Sequence, residues 1–134
     1  MLRKIVAFCL FFTLAFSTSR FDEYKKIFMN ISPSDAVSLI CQNSSFFIIS
    51  SAYLNPPIVR NDVCTAEYEL FSSPKALSDA EKDLDSQFCF NLVLKAFLSS
   101  RGTFEAKFYN SSGSLVKTKR YNQNSRPSCS LLQR

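Results

Sequence analysis

The chain contains no histidine. That absence removes Ser-His-Asp and Cys-His catalytic arrangements, histidine general bases and histidine metal sites together. Glycine is nearly as scarce, with two residues in 134. Both Gly102 and Gly113 read as turn residues, so no glycine-rich loop remains to cradle a phosphate. No two cysteines are close-spaced, and without histidine no zinc pattern can be completed. Asp79, Glu81, Asp83 and Asp85 form an acidic cluster that lacks the mid-loop glycine and closing glutamate of a calcium loop. It reads as the solvated face of a short helix. No carboxylate pair is marked out by spacing for glycosidic cleavage. No catalytic residue, metal or cofactor is expected, and a non-enzymatic role follows.

What is present starts with a leader pattern. Arg3 and Lys4 precede an apolar run from Ile5 to Phe16, which gives way to Ser17, Thr18 and Ser19. A basic head, an apolar middle and a small-residue exit predict a secretory signal peptide over residues 1–17, cut after Ser17. The run is shorter than the roughly 20 apolar residues that span a bilayer. Residues 18–134 are then expected to form one secreted, extracellular domain. Cys9 leaves with the leader, and Cys41, Cys64, Cys89 and Cys129 remain as an even set, which predicts two disulfides. Three pairings are open. Asn30, Asn43 and Asn110 head glycan acceptor triplets, so the domain is expected to be a glycoprotein.

Charge says little. The formal net charge of +5 falls to +3 without Arg3 and Lys4, and the excess sits late, in Lys117, Lys119, Arg120, Arg126 and Arg134. That reads as a solvated strand face; neither nucleic acid nor a membrane is an expected partner. Lys119-Arg120 also resembles a dibasic processing site, but it lies on a predicted strand and Cys129 would tether the released piece.

The apolar pattern predicts a short amphipathic helix over 21–31, ended by Ser32-Pro33-Ser34. Strands are predicted over 37–41, 46–54, 64–71, 87–97, 103–109 and 114–121. Asn55-Pro56-Pro57 stops the second strand, and Ser78 to Glu81 has the form of a capping box opening a helix to about Asp85. In 87–97, Phe88, Phe90, Leu92, Leu94 and Ala96 alternate onto one face. Arg101-Gly102 reads as a tight turn, and residues 110–113 turn the last two strands into a hairpin. The tail from residue 122 is polar and irregular. The expected fold is mainly β: a single antiparallel β-sandwich with one or two short helices and two disulfides.

Two extracellular families are resembled. Leu39-Ile40-Cys41, Ile49-Ser-Ser-Ala52-Tyr53, Cys64, Phe88-Cys89-Phe90-Asn91 and Gly102 to Tyr109 are similar, in order, to elements of the galactose/rhamnose-binding (SUEL-type) lectin domain. Leu54-Asn55 stands where that family has Gly-Arg, and no sugar-binding residue is carried over. The stretch from Ile49 to Pro56, followed by Cys64-Thr65 and an alternating strand, resembles the opening of a CUB domain. Both resemblances imply a β-sandwich. The CUB resemblance implies Cys41–Cys64 with Cys89–Cys129, whereas the lectin resemblance implies Cys41–Cys129.

The expected function is that of an extracellular binding module recognising glycans or glycoproteins. Tyr53, Asn55 and Tyr121 are the candidate contacts, because tyrosine rings stack on sugar faces and amides bond to hydroxyls. The alternative is a protein-binding adhesion, inhibitor or effector domain without sugar affinity. A hydrophobic-ligand carrier, suggested by ten phenylalanines beyond the leader, ranks last.

Overall fold

The computed structural model describes residues 20–129, so the leader expected over 1–17 lies outside the described residues. Among these described residues four α-helices occur, α1 (Phe21–Met29), α2 (Pro33–Cys41), α3 (Ala76–Phe90) and α4 (Leu92–Ser99). Five strands accompany them, β1 (Ala52–Leu54), β2 (Ile58–Arg60), β3 (Val63–Leu70), β4 (Phe104–Tyr109) and β5 (Leu115–Tyr121), with a 3₁₀ turn over Ser44–Phe47.

The first helix follows its sequence. Asp22 and Glu23 sit in the first turn and Lys26 in the last, which complements the helix dipole. Tyr24 and Phe28, one turn apart, are buried, and Phe28 meets Phe97 of α4 edge-on at 5.7 Å. Ser32-Pro33 does more than end it. The Ser32 hydroxyl accepts the Asp35 N–H at 3.1 Å and Pro33 stands in the first turn, so a second helix starts where a strand was expected over 37–41.

The larger correction concerns residues 87–97. They are not a core strand but the end of α3 and most of α4. Period-two alternation would bury Phe90, which is 52 % exposed. The buried set is instead Leu84, Phe88, Val93, Leu94, Phe97 and Leu98, a helical recurrence. Asn91 separates the two helices with an extended backbone, and its Oδ1 accepts the N–H groups of Val93 and Leu94. Ser78 lies inside α3 rather than capping it.

These helices overturn the antiparallel β-sandwich. The protein is an α/β fold with one five-stranded mixed sheet in the order β1-β3-β4-β5, with β2 pairing β3 beyond β1. Strands β3 and β4 are parallel, which demands a long crossover, and α3 and α4 supply it. The other pairings are antiparallel. Cys64, Ala66, Tyr68, Phe104, Ala106, Phe108 and Tyr121 share the buried face. There Phe104 stacks on Phe47 at 4.3 Å, and Tyr121 on Phe88 of α3 at 4.4 Å. Charged residues, including Glu67, Glu105, Lys107 and Arg120, alternate onto the opposite face.

The expected β4–β5 hairpin is present, its turn held by Asn110 Oδ1 accepting the N–H groups of Ser112 and Ser114. The β2–β3 hairpin turns through Asn61 and Asp62 at φ 51° and 60°, a left-handed pair suited to these residue types. Both expected disulfides form, Cys41–Cys64 tying α2 to β3 and Cys89–Cys129 tying α3 to the C-terminal segment.

Candidate functional site

Strand β1 is an edge, and a groove of about 380 Å³ runs beside it. Ile48, Ile49, Tyr53, Leu54, Pro56 and Phe71 supply most of its lining, with Ser44 at one wall. The sequence builds this locally. The 3₁₀ turn directs Phe47 into the core, which leaves the next residue, Ile48, 60 % exposed and Ile49 buried. Across the groove Tyr53 is 67 % exposed, and its ring meets Phe71 edge-on at 4.7 Å. Asn55, Pro56 and Pro57 stand opposite only two residues of β3, a bulge that ends β1.

The ladder fixes which backbone groups face outward. Ser51 O accepts the Phe71 N–H at 3.2 Å, and the Asn55 N–H donates to Glu67 O at 2.9 Å. By alternation the N–H and C=O groups of Ala52 and Leu54 point away from β3, and among the described residues they meet no other backbone group. Apolar side chains and four unpaired polar groups therefore coincide on one edge.

Two carboxylates flank the groove. Glu69 pairs directly with Tyr53 across the ladder. Asp83 of α3 accepts hydrogen bonds from Ser50 Oγ at 2.9 Å and Ser51 Oγ at 3.4 Å, just before β1. Neither forms an ion pair with a described lysine or arginine. The basic residues of β5 differ: Lys117 pairs with Glu81, Lys119 with Asp85 and Arg120 with Glu105. The three positive charges of β5 are thus locally neutralised, whereas Arg126 donates to the Ser99 hydroxyl at 3.1 Å, and Lys119-Arg120 lies within a paired strand.

The residues expected to contact a ligand do not converge. Tyr53 and Asn55 are neighbours at the exposed edge, but Tyr121 is 1 % exposed and packs in the core. Strand alternation carries it inward, where its hydroxyl donates to Asp85 Oδ1 at 2.5 Å. Burial, then the hydrogen bond and charge of Asp85, hold its phenol above the ordinary range. Asn30 caps the C-terminus of α1 at the surface, Asn43 precedes the 3₁₀ turn, and Asn110 holds the hairpin. Ile48, Leu54, Pro56 and Phe71 were not singled out by sequence. The run Tyr53-Leu54-Asn55-Pro56-Pro57-Ile58-Val59, apolar but broken by prolines, is the signal that marks this edge.

Among the described residues no group of three or more possible metal ligands gathers, and no helix is long and apolar enough to cross a membrane. No protein-family model matches the chain, and no curated protein matches it in sequence. A solved structure, the type II secretion system pilotin AspS from Vibrio cholerae, has a similar fold. It aligns with a TM-score of 0.54 at 12 % identity, covering 80 % of this chain and 99 % of that one. At that identity the likeness concerns the fold alone, and it bears on neither the lectin nor the CUB resemblance.

Proposed function

We propose that the chain is a non-catalytic binding or accessory module that takes an extended apolar segment of a protein partner along β1. The observation that carries this reading is the apolar groove lying beside the unpaired N–H and C=O groups of Ala52 and Leu54. An added strand bonds to those groups and lays alternate side chains into the groove. Charge narrows the partner. Glu69 and Asp83 have no basic partners, so a segment with Lys or Arg beside its apolar residues complements them. The fold likeness to a secretion-system pilotin is in keeping with a binding or accessory role. The two disulfides are compatible with a secreted location.

Glycan recognition is the second reading, favoured by Tyr53 and Asn55 standing exposed side by side. A sugar can stack on the Tyr53 ring. Against it, the groove lining offers few side-chain hydrogen-bonding groups, the hydroxyls of Ser44 and Tyr53. A carrier for hydrophobic ligands has less support, because Phe28, Phe47, Phe88, Phe97, Phe104 and Phe108 already fill the core.

Selection of displayed random peptides, run beside a glycan array on the same protein, separates the readings. The expected result is enrichment of extended apolar peptides with basic flanks, whose affinity falls tenfold or more (about 1.4 kcal/mol) in the Ile48→Lys variant. Array signal without peptide enrichment overturns the protein-partner reading.

A further inference from the structure

The acceptor triplet Asn43-Ser44-Ser45 lies beside the groove. Asn43 immediately precedes the 3₁₀ turn Ser44–Phe47, and Ser44 lines the groove wall. The two Cα atoms are about 3.8 Å apart across one peptide bond. The Asn43 side chain makes no capping bond to that turn. Its Oδ1 instead accepts the Ser45 hydroxyl at 2.8 Å, so the amide that would carry the sugar is held beside the wall by its own triplet. The other two triplets sit elsewhere. Asn110 is spent on the β4–β5 turn at the end of β4, with β3 between it and β1, and Asn30 ends α1.

We propose that an N-glycan on Asn43 sheaths the groove, so that the modified chain is closed to its partner and the unmodified chain is open. An N-glycan is bulky and hydrated, and its attachment point lies one residue from the wall that Ser44 supplies. The exposed apolar edge of Ile48, Tyr53 and Phe71 is what such a cover would shield. The regulatory half of this inference rests on the groove being the docking site; the covering half does not.

Hydroxyl-radical footprinting reads the cover without any partner. The full chain, secreted from a cell line that N-glycosylates, is compared with Asn43→Gln and Asn110→Gln variants, with oxidation of Tyr53 and Phe71 measured by peptide mass spectrometry. Met29, 58 % exposed on α1, is the internal reference. The expected result is a glycan on Asn43 and at least a twofold rise in Tyr53 and Phe71 oxidation in Asn43→Gln, with Asn110→Gln unchanged. An unmodified Asn43, an unchanged footprint in Asn43→Gln, or a rise only in Asn110→Gln overturns the proposal. Peptides selected on the unmodified chain are then titrated against both forms. At least tenfold weaker binding to the glycosylated form supports the closed state, and equal affinity overturns it. A failure of all peptides to bind either form, with the footprint as expected, overturns the docking reading and with it the regulatory half.

Discussion

The Tyr121 hydroxyl on β5 donates to Asp85 Oδ1 on α3 at 2.5 Å, and Lys119 Nζ reaches the same oxygen at 2.7 Å. Glu81, Asp85 and Phe88 on the helix face Lys117, Lys119 and Tyr121 on the strand. The first spacings match because four helical residues rise about 6 Å and two strand residues about 6.7 Å. This row locks the crossover helix to the far edge of the sheet.

Removing the hydroxyl by Tyr121→Phe leaves Asp85 paired with Lys119 and is expected to cost about 1–2 kcal/mol. Asp85→Ala also strands a buried phenol and is expected to cost about 2–3 kcal/mol. Urea unfolding measures both as a lowered midpoint at unchanged slope. Midpoints equal to the parent's contradict the role given to this row.

Alkaline pH probes the same core. Burial raises the phenols of Tyr68 and Tyr121 above the ordinary value of 10.0, with Asp85 adding to it at Tyr121. Above that value the unfolded chain releases these protons while the folded chain keeps them. Stability is therefore complete below about pH 10 and falls as pH rises past it, by about 1.4 kcal/mol per unit for each phenol. In Tyr68→Phe the decline above pH 10 becomes shallower. A parent midpoint that stays flat to about pH 11 runs against the account.

The disulfides separate loop length from burial. Chain entropy alone assigns about 3.4 kcal/mol to Cys41–Cys64 and about 3.9 kcal/mol to Cys89–Cys129, from separations of 23 and 40 residues. Cys41 and Cys64 are both buried, whereas Cys129 belongs to the irregular, largely exposed C-terminal segment. The paired change Cys41→Ala/Cys64→Ala is expected to destabilise more than Cys89→Ala/Cys129→Ala, reversing the entropic order. Thermal melts of the two double variants rank them.

Gly102 is required by a close approach. A Cβ there would run into the ring of the buried Phe97. Gly102→Ala is expected to cost about 1–3 kcal/mol through overpacking, and adding Phe97→Leu should recover part of it. A fully stable single variant contradicts the packing.

Sequence patterns located the elements whose burial follows one period. Phe104, Ala106 and Phe108 alternate inward in β4, as expected, and the hairpin into β5, the helix at 21–29 and two disulfides were all legible. Residues 87–97 misled because a helix buried along much of its surface places apolar residues at both even and odd positions. Leu94 and Ala96 satisfy a strand pattern as well as a helical one. Ser32-Pro33 is a stop signal for one helix and a start signal for the next. The groove is partly legible: the sequence points to Tyr53 in its lining and to Asn55 beside it, but Ile48 and Phe71 come from segments before and after β1. Only the fold brings them together. The sequence suggests an exposed role for Tyr121, and nothing local shows that Asp85 waits for it 36 residues away.

The central claim, strand addition at β1, is tested most directly by amide hydrogen exchange at Ala52 and Leu54, with and without a selected apolar, basic-flanked peptide. Both N–H groups face outward in the free chain, so both should exchange rapidly and slow at least tenfold when an added strand bonds to Leu54 and Ala52. A peptide that binds while these two amides keep their free-state rates contradicts strand addition and places recognition elsewhere on the protein.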